Sequence, residues 1–275
     1  MAGWFDLVLL IIGVVGVNEL LGRPWLDITK DSTGKNVIRI GDRCFNEAGA
    51  VVTCPPPTTT PPPATNNTVT DNFDGTPYVL AEGAISPNGK WRCVYTGYGI
   101  CQVTSPGVMR IQPKVSTGTY DETHAPLVIS NQQFTNFEWT FQMKTVQQLR
   151  QNMPPQNWET AWCMFRYTDE THHYYFVLKK SGIELGKKDN APGNSDPEDQ
   201  KYVSTLNYPA LQLGVFYNIK IRMEGFHIQI WINNIKVIDV TDVSNNPTVM
   251  SKGAVGFYTE DAIGEYDNSV VTILP

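Results

Sequence analysis

Residues 227–240 read HIQIWINNIKVIDV, and the period of two in this stretch decides the fold. On an extended chain Ile228, Ile230 and Ile232 share one face, which leaves His227, Gln229 and Trp231 on the other. The stretch reads as a hairpin with one apolar side. Working outward, FEWTFQMKTV (137–146), TAWCMFRYTD (160–169), HYYFVLKK (173–180), YNIKIRME (217–224) and GAVGFYTE (253–260) repeat the theme. Each alternates or runs apolar for a few residues, and the stretches between them carry breakers such as Ser181-Gly182 and Lys252-Gly253. No segment after Asp71 sustains a period of 3.6. Many short strands separated by regular turns predict an all-β antiparallel sandwich or barrel.

The same alternation assigns faces on the middle strands. In AWCMFRY, Cys163 and Phe165 point inward, with Trp162, Met164 and Arg166 outward. On the next strand Tyr174, Phe176 and Leu178 point inward, with His173, Tyr175 and Lys179 outward. Trp162, Arg166, His173, Tyr175, Gln229 and Trp231 then form a candidate carbohydrate-binding set. Aromatic rings stack on sugar rings, while Arg, His and Gln hydrogen-bond hydroxyls. The bland alternative is core or inter-subunit packing.

Composition agrees with a strand-and-turn protein. At 275 residues the chain can bury a full core, and its 17% charged residues fall below the roughly 25% of an average domain. A net charge of −6 without a Lys/Arg cluster argues against a nucleic-acid partner. The cysteines pair by position. Cys44 and Cys54 flank CFNEAGAVVTC, and Cys93 and Cys101 flank CVYTGYGIC, as hairpin disulfides would. Two such bridges imply an oxidising, extracellular location. Cys163, within an apolar strand, reads as a buried free thiol.

The chain ahead of the strands divides into three. Residues 1–27 hold the long apolar run, Trp4–Leu21, interrupted by Asp6, Asn18 and Glu19. As a helix that run spans about 27 Å, near the thickness of a bilayer core. It reads as a membrane anchor, as an assembly helix packing on copies of itself through Gly13 and Gly16, or as an uncleaved signal. Residues 28–54 read as a small β-hairpin module. Residues 55–70, PPPTTTPPPATNNTVT, carry six Pro, six Thr and no charge, which favours a stiff polyproline II linker. Asn66-Asn67-Thr68 within it is an N-glycosylation sequon. Residues 71–275 are the β domain.

That domain resembles the concanavalin A-like lectin/glucanase superfamily, and most of all its family-16-like and 3-keto-disaccharide-hydrolase branch. The resemblance rests on DNFDG (71–75), WCMFRYTDETHHYYFVLKKSGIELGK (162–187), FYNIKIRMEG (216–225), IQIWINNIKVID (228–239) and GAVGFYTEDAIGEYDNSVV (253–271). It implies a two-sheet jelly-roll sandwich with a concave, sugar-binding face. It also implies a structural calcium where first and last strands meet, with Asp71, Asp74 and Asp267 as ligands. The alternative is ordinary turn and capping aspartates.

A family-16 type of glycosidase needs paired carboxylates, supplied on a strand by E-x-D-x-E, and that pattern is absent. Glu159, Asp169 with Glu170, and Glu260 with Asp261 are the nearest candidates, and Asp169-Glu170 reads as a solvated hairpin tip. His172 and His173 are adjacent and face opposite ways, which argues against a zinc site. The expectation is therefore a non-catalytic extracellular module displaying a lectin-like sandwich. The alternatives are a structural subunit of a filament, sheath or virion surface, and a glycoside hydrolase of the resembled family.

Overall fold

The computed structural model describes residues 26–30, 35–40, 43–46, 50–52, 68–190, 199–244 and 250–275. The chain divides into two compact units, Met1–Thr65 and Asn66–Pro275. The apolar run 4–21, Cys54, the side chain of Cys44 and most of the Pro/Thr stretch lie outside the described residues. So do the anchor helix and the Cys44–Cys54 bridge expected there.

In the first unit β1 (Leu26–Lys30), β2 (Asn36–Ile40), β3 (Arg43–Asn46) and β4 (Val51–Val52) form an antiparallel meander. The second unit is an all-β sandwich of two antiparallel sheets. Its first strands are β5 (Thr68–Asp71), β6 (Tyr78–Val79), β7 (Trp91–Tyr95), β8 (Ile100–Thr104), β9 (Val108–Gln112), β10 (Leu127–Ser130) and β11 (Phe137–Gln148). There follow β12 (Ala161–Asp169), β13 (His172–Lys179), β14 (Gly182–Asp189), β15 (Lys201–Leu206) and β16 (Tyr217–Glu224). The last are β17 (His227–Ile232), β18 (Ile235–Thr241), β19 (Ala254–Thr259) and β20 (Ala262–Ile273).

Among the described residues one sheet has seven strands in the order β15-β14-β13-β12-β19-β10-β7. The other has nine, in the order β18-β17-β16-β11-β20-β9-β8-β6, with β5 paired to β20. The isoleucine strand behaves as its alternation demands. Ile228, Ile230 and Ile232 are fully buried, and His227, Gln229 and Trp231 are not. A column of rings crosses between the sheets. Phe257 stacks on Tyr266 at 4.4 Å and on Trp91 at 4.7 Å, and Trp139 stacks on Phe141 at 4.0 Å. Their polar handles are satisfied inside. Trp139 Nε1 donates to Ser269 Oγ at 2.9 Å, Trp91 Nε1 to Asp71 Oδ2 at 2.9 Å, and Tyr266 OH to the Trp162 carbonyl at 2.9 Å.

The structure brings Cys93 and Cys101 together, though not across a hairpin. Cys93 lies on β7 and Cys101 on β8, which belong to different sheets, so the two do not close a simple hairpin. They meet in the core as two free, buried thiols with sulfurs 3.6 Å apart. Cys163 is a buried free thiol, as its apolar strand suggested.

The two sheets differ in a way that places the site. β11, β16 and β17 alternate buried and half-buried residues, the pattern of a sheet with one face toward solvent. β13, β14 and β19 are buried almost without interruption, and so is most of β12. Their second face packs a separate apolar cluster of Leu127, Ile129, Trp162, Met164, Tyr167, Tyr175, Val177 and Tyr258.

Candidate functional site

The outer face of the seven-stranded sheet carries a cleft of about 210 Å³. Strands of that sheet build its floor. β12 contributes Trp162 and Met164, β13 His173 and Tyr175, β14 Lys188, and β19 Tyr258. Tyr95, Glu170, Gln200 and Glu260 complete the lining. Trp162 lies 5.1 Å from the Tyr175 ring and 5.5 Å from that of Tyr258, so the aromatics of the cleft support one another. Trp162 Nε1 is tied to the Trp158 carbonyl at 2.7 Å. Opposite Tyr175 on β14 stands Gly186, where a Cβ would fall 2.1 Å from the tyrosine oxygen. Only glycine leaves room for that ring.

The polar tips form chains. Tyr175 OH donates to Glu184 Oε1 at 2.9 Å and accepts from the Gln200 amide, while Lys179 pairs with the same glutamate. Tyr258 OH donates to Glu260 Oε1 at 2.7 Å. Burial pushes the Glu260 carboxyl up to about 7, with Asp261 adding to the rise and the Tyr258 hydroxyl and Lys188 opposing it. Burial drives His173 the other way, down to about 4, so its imidazole is neutral at physiological pH.

Beneath the β19–β20 turn, a buried ion network holds Asp261, the neighbour of Glu260 in the chain. Arg150 pairs with Glu159 at 2.5 Å and with Asp261 at 2.6 Å, and donates to the carbonyls of Thr119 and Glu122 at 3.0 Å each. Asp261 also accepts from the His124 amide at 3.0 Å and from the Ser116 hydroxyl. Of the carboxylates singled out from sequence, Glu159 and Asp261 thus serve this network, and Glu260 alone of that trio lines the cleft. Asp169 accepts from the Thr171 amide at 2.8 Å and contacts His172 at 2.9 Å, which is the bonding of a hairpin turn.

The six residues read as one carbohydrate set are split by the fold. Trp162, His173 and Tyr175 share the cleft. Arg166 does not join them. It adopts φ 51° at a bulge where the pairing of β12 slips, and that slip swings its side chain into the protein. There it donates to the carbonyls of Met250, Thr135 and Gly225, the last at 2.9 Å. Gln229 and Trp231 lie on the outer face of the nine-stranded sheet. Gln229 donates to Asp239 at 2.9 Å, and Lys220 caps the Trp231 ring at 4.0 Å. Sequence reading missed Tyr95, Lys188, Gln200 and Tyr258 altogether. The available signal was the run of buried residues in AWCMFRY, HYYFVLKK and GAVGFYT, which lack the polar alternation of a solvent-facing sheet.

The calcium ligands expected at Asp71, Asp74 and Asp267 are committed elsewhere. Asp71 is buried and accepts from the Phe73 amide at 3.0 Å, Asn88 at 2.8 Å and Trp91 at 2.9 Å. Asp74 accepts from Asn72 at 2.6 Å, and Asp267 from the Asn268 amide at 2.6 Å. Burial, with Asp74 and Asp71 nearby, holds the Asp267 carboxyl above its usual range. Among the described residues no three His, Cys, Asp or Glu side chains gather as metal ligands. The three aspartates carry protein donors, and a calcium site is not shown among the described residues.

Fold and cleft together define a jelly-roll sandwich of the concanavalin A-like, glucanase type. The family model of the 3-keto-alpha-glucoside-1,2-lyase-like domain matches residues 79–272, and the chain belongs to that family. No curated protein matches the chain in sequence. Among solved structures, the exoplasmic/lumenal domain of VIP36 in its Ca2+/Man-bound form is similar at TM-score 0.50 and 11% identity, covering 77% of this chain and 91% of that one. The carbohydrate binding module CBM66 from Bacillus subtilis gives 0.48 at 17% identity, covering 66% and 93%. The beta-glucanase of Bacillus licheniformis gives 0.47 at 13%, covering 77% and 100%. Likeness at these identities is likeness of fold.

Proposed function

We propose that the sandwich binds a carbohydrate in the cleft on the outer face of its seven-stranded sheet, as a non-catalytic module displayed outside the cell. The observation that carries this reading is the cleft itself, where aromatic side chains lie beside hydrogen-bonding tips on a sheet. Such a surface offers apolar contact to a sugar ring and directional partners to its hydroxyls. Membership of a glucoside-lyase-like family supports glucose-containing ligands. External display draws its support from the apolar run at 4–21 and the Pro/Thr stretch at 55–70. A glycan array probed with the full chain tests the reading. Binding should vanish in Trp162→Ala and persist in Trp231→Ala, and a blank array with the unaltered chain sinks it.

One observation favours a second reading, proton transfer on the bound sugar. Glu260 sits in the cleft with its carboxyl raised to about 7, the range in which a group both gives and takes protons. Turnover of a 3-keto-α-glucoside that disappears in Glu260→Gln would establish it. Binding without turnover would leave the module non-catalytic.

A further inference from the structure

His173 is a polar group of the cleft with one ring nitrogen bonded and the other free for a ligand. Its ring is 4% exposed and lies nearly parallel to Tyr167, with centroids 5.7 Å apart. Nδ1 stands 3.1 Å from the carbonyl oxygen of Asp169. A carbonyl can only accept, so the proton of the neutral ring resides on Nδ1 and the lone pair on Nε2. Among the described residues nothing hydrogen-bonds to Nε2. Nε2 is not among the sealed, unpartnered polar atoms of the described residues, so its lone pair is open to the cleft, where a ligand donor can reach it.

We infer that His173 reads the ligand, its Nε2 accepting a hydroxyl proton from an uncharged saccharide. The inference rests on the cleft being the carbohydrate site proposed above. Two of the neighbouring tips are already engaged, Tyr175 with Glu184 and Gln200 and Tyr258 with Glu260. The charges acting on the ring hold it in the accepting form. Burial, Lys188 on β14 and His172 on the turn oppose protonation, and they outweigh the pull of Asp169. Nε2 therefore stays an acceptor from neutral pH down to about 4.

The same surroundings exclude acidic sugars. Glu170 and Glu260 line the cleft with His173, and Lys188 already stands against the Glu260 charge. The carboxylate of a uronic or sialic acid placed against Nε2 would meet an acceptor where it needs a donor. A neutral hydroxyl meets what it needs.

The test uses the full chain with ¹⁵N-labelled histidine. Long-range ¹H–¹⁵N spectra should show His173 neutral, protonated on Nδ1 at pH 7, with its Nε2 resonance moving as trehalose, maltose, cellobiose or laminaribiose is titrated in. Calorimetry should find the preferred disaccharide bound at least tenfold more weakly by His173→Phe, a variant that keeps the ring stack. His173→Gln, which retains an acceptor oxygen, should recover part of that loss. Glucuronic acid and sialyllactose should bind at least tenfold more weakly than the neutral sugar. A proton on Nε2, or a charged ring, at pH 7 overturns the inference without reference to any sugar. Full affinity in His173→Phe, with binding lost in Trp162→Ala, overturns it and leaves the cleft standing. No saccharide binding by the unaltered chain overturns both.

Discussion

The outer faces of the two sheets obey the same alternation and end in opposite environments. On the nine-stranded sheet, Trp231 lies half-exposed beneath Lys220, beside Gln229 and Asp239. On the seven-stranded sheet, Trp162 is 6% exposed, packed between Tyr175 and Tyr258. Both tryptophans are outward residues of a β-strand. A period of two separates the sides of one strand, and it says nothing about what covers the outer side. The sheet whose second face is also apolar is the one that carries a cleft.

The largest effect should come from Trp162. Its replacement by Ala is expected to lower the unfolding free energy by about 3–5 kcal/mol, read by urea denaturation, and to abolish saccharide binding. A loss below about 1 kcal/mol would mean the ring is not packed as described. Arg150→Met comes close behind. It strands the buried carboxylates of Glu159 and Asp261, with an expected loss of about 3 kcal/mol or more and weaker saccharide binding as the β19–β20 turn relaxes. If that variant keeps full stability and affinity, the ion network does not support the site.

Titration of the cleft face is expected to act in two opposed ways. Glu260 has a folded value of about 7 against an ordinary 4.5, so its contribution is complete below pH 4.5 and is lost as pH rises through 7. His173 has a folded value of about 4 against 6.5, so its contribution is complete above pH 6.5 and is lost as pH falls through 4. Between pH 4.5 and 6.5 the two slopes offset one another. Glu260→Gln should uncover the acid-side loss and His173→Phe the alkaline-side loss, each on the order of 1–2 kcal/mol after solvent screening. Identical pH–stability curves for both variants and the parent would break the assignment.

The smallest effect should be that of Trp231→Ala, below about 1 kcal/mol and without change in saccharide affinity. A binding defect there would move the site to the other sheet.

Much of the fold was legible in the residues. The hairpin at 227–240, the order of strands after Asp71 and the buried thiol of Cys163 follow from alternation and turn chemistry. The candidate site was legible in part, since Trp162, His173 and Tyr175 do stand together in the cleft. Arg166 escaped because one bulge reverses the parity of every later position on a strand. Cys93 and Cys101 do meet, with sulfurs 3.6 Å apart, but not across a hairpin, because closeness in sequence does not tell whether a turn joins two strands of one sheet or crosses between two. Glu260 could be named from sequence only as one carboxylate among several. What distinguishes it from Asp261 beside it is the Arg150 network, whose members come from widely separated segments.

By itself the sequence determined an all-β chain, the inward side of most strands and the residue types available for chemistry, because these depend on contacts of short range along the backbone. The tertiary structure decided which outward face was covered, which tryptophan joined a cleft, and which carboxyl was lifted toward neutrality. Those properties are set by desolvation and charge from strands far apart in the chain, and they come into being only when the sheets are assembled.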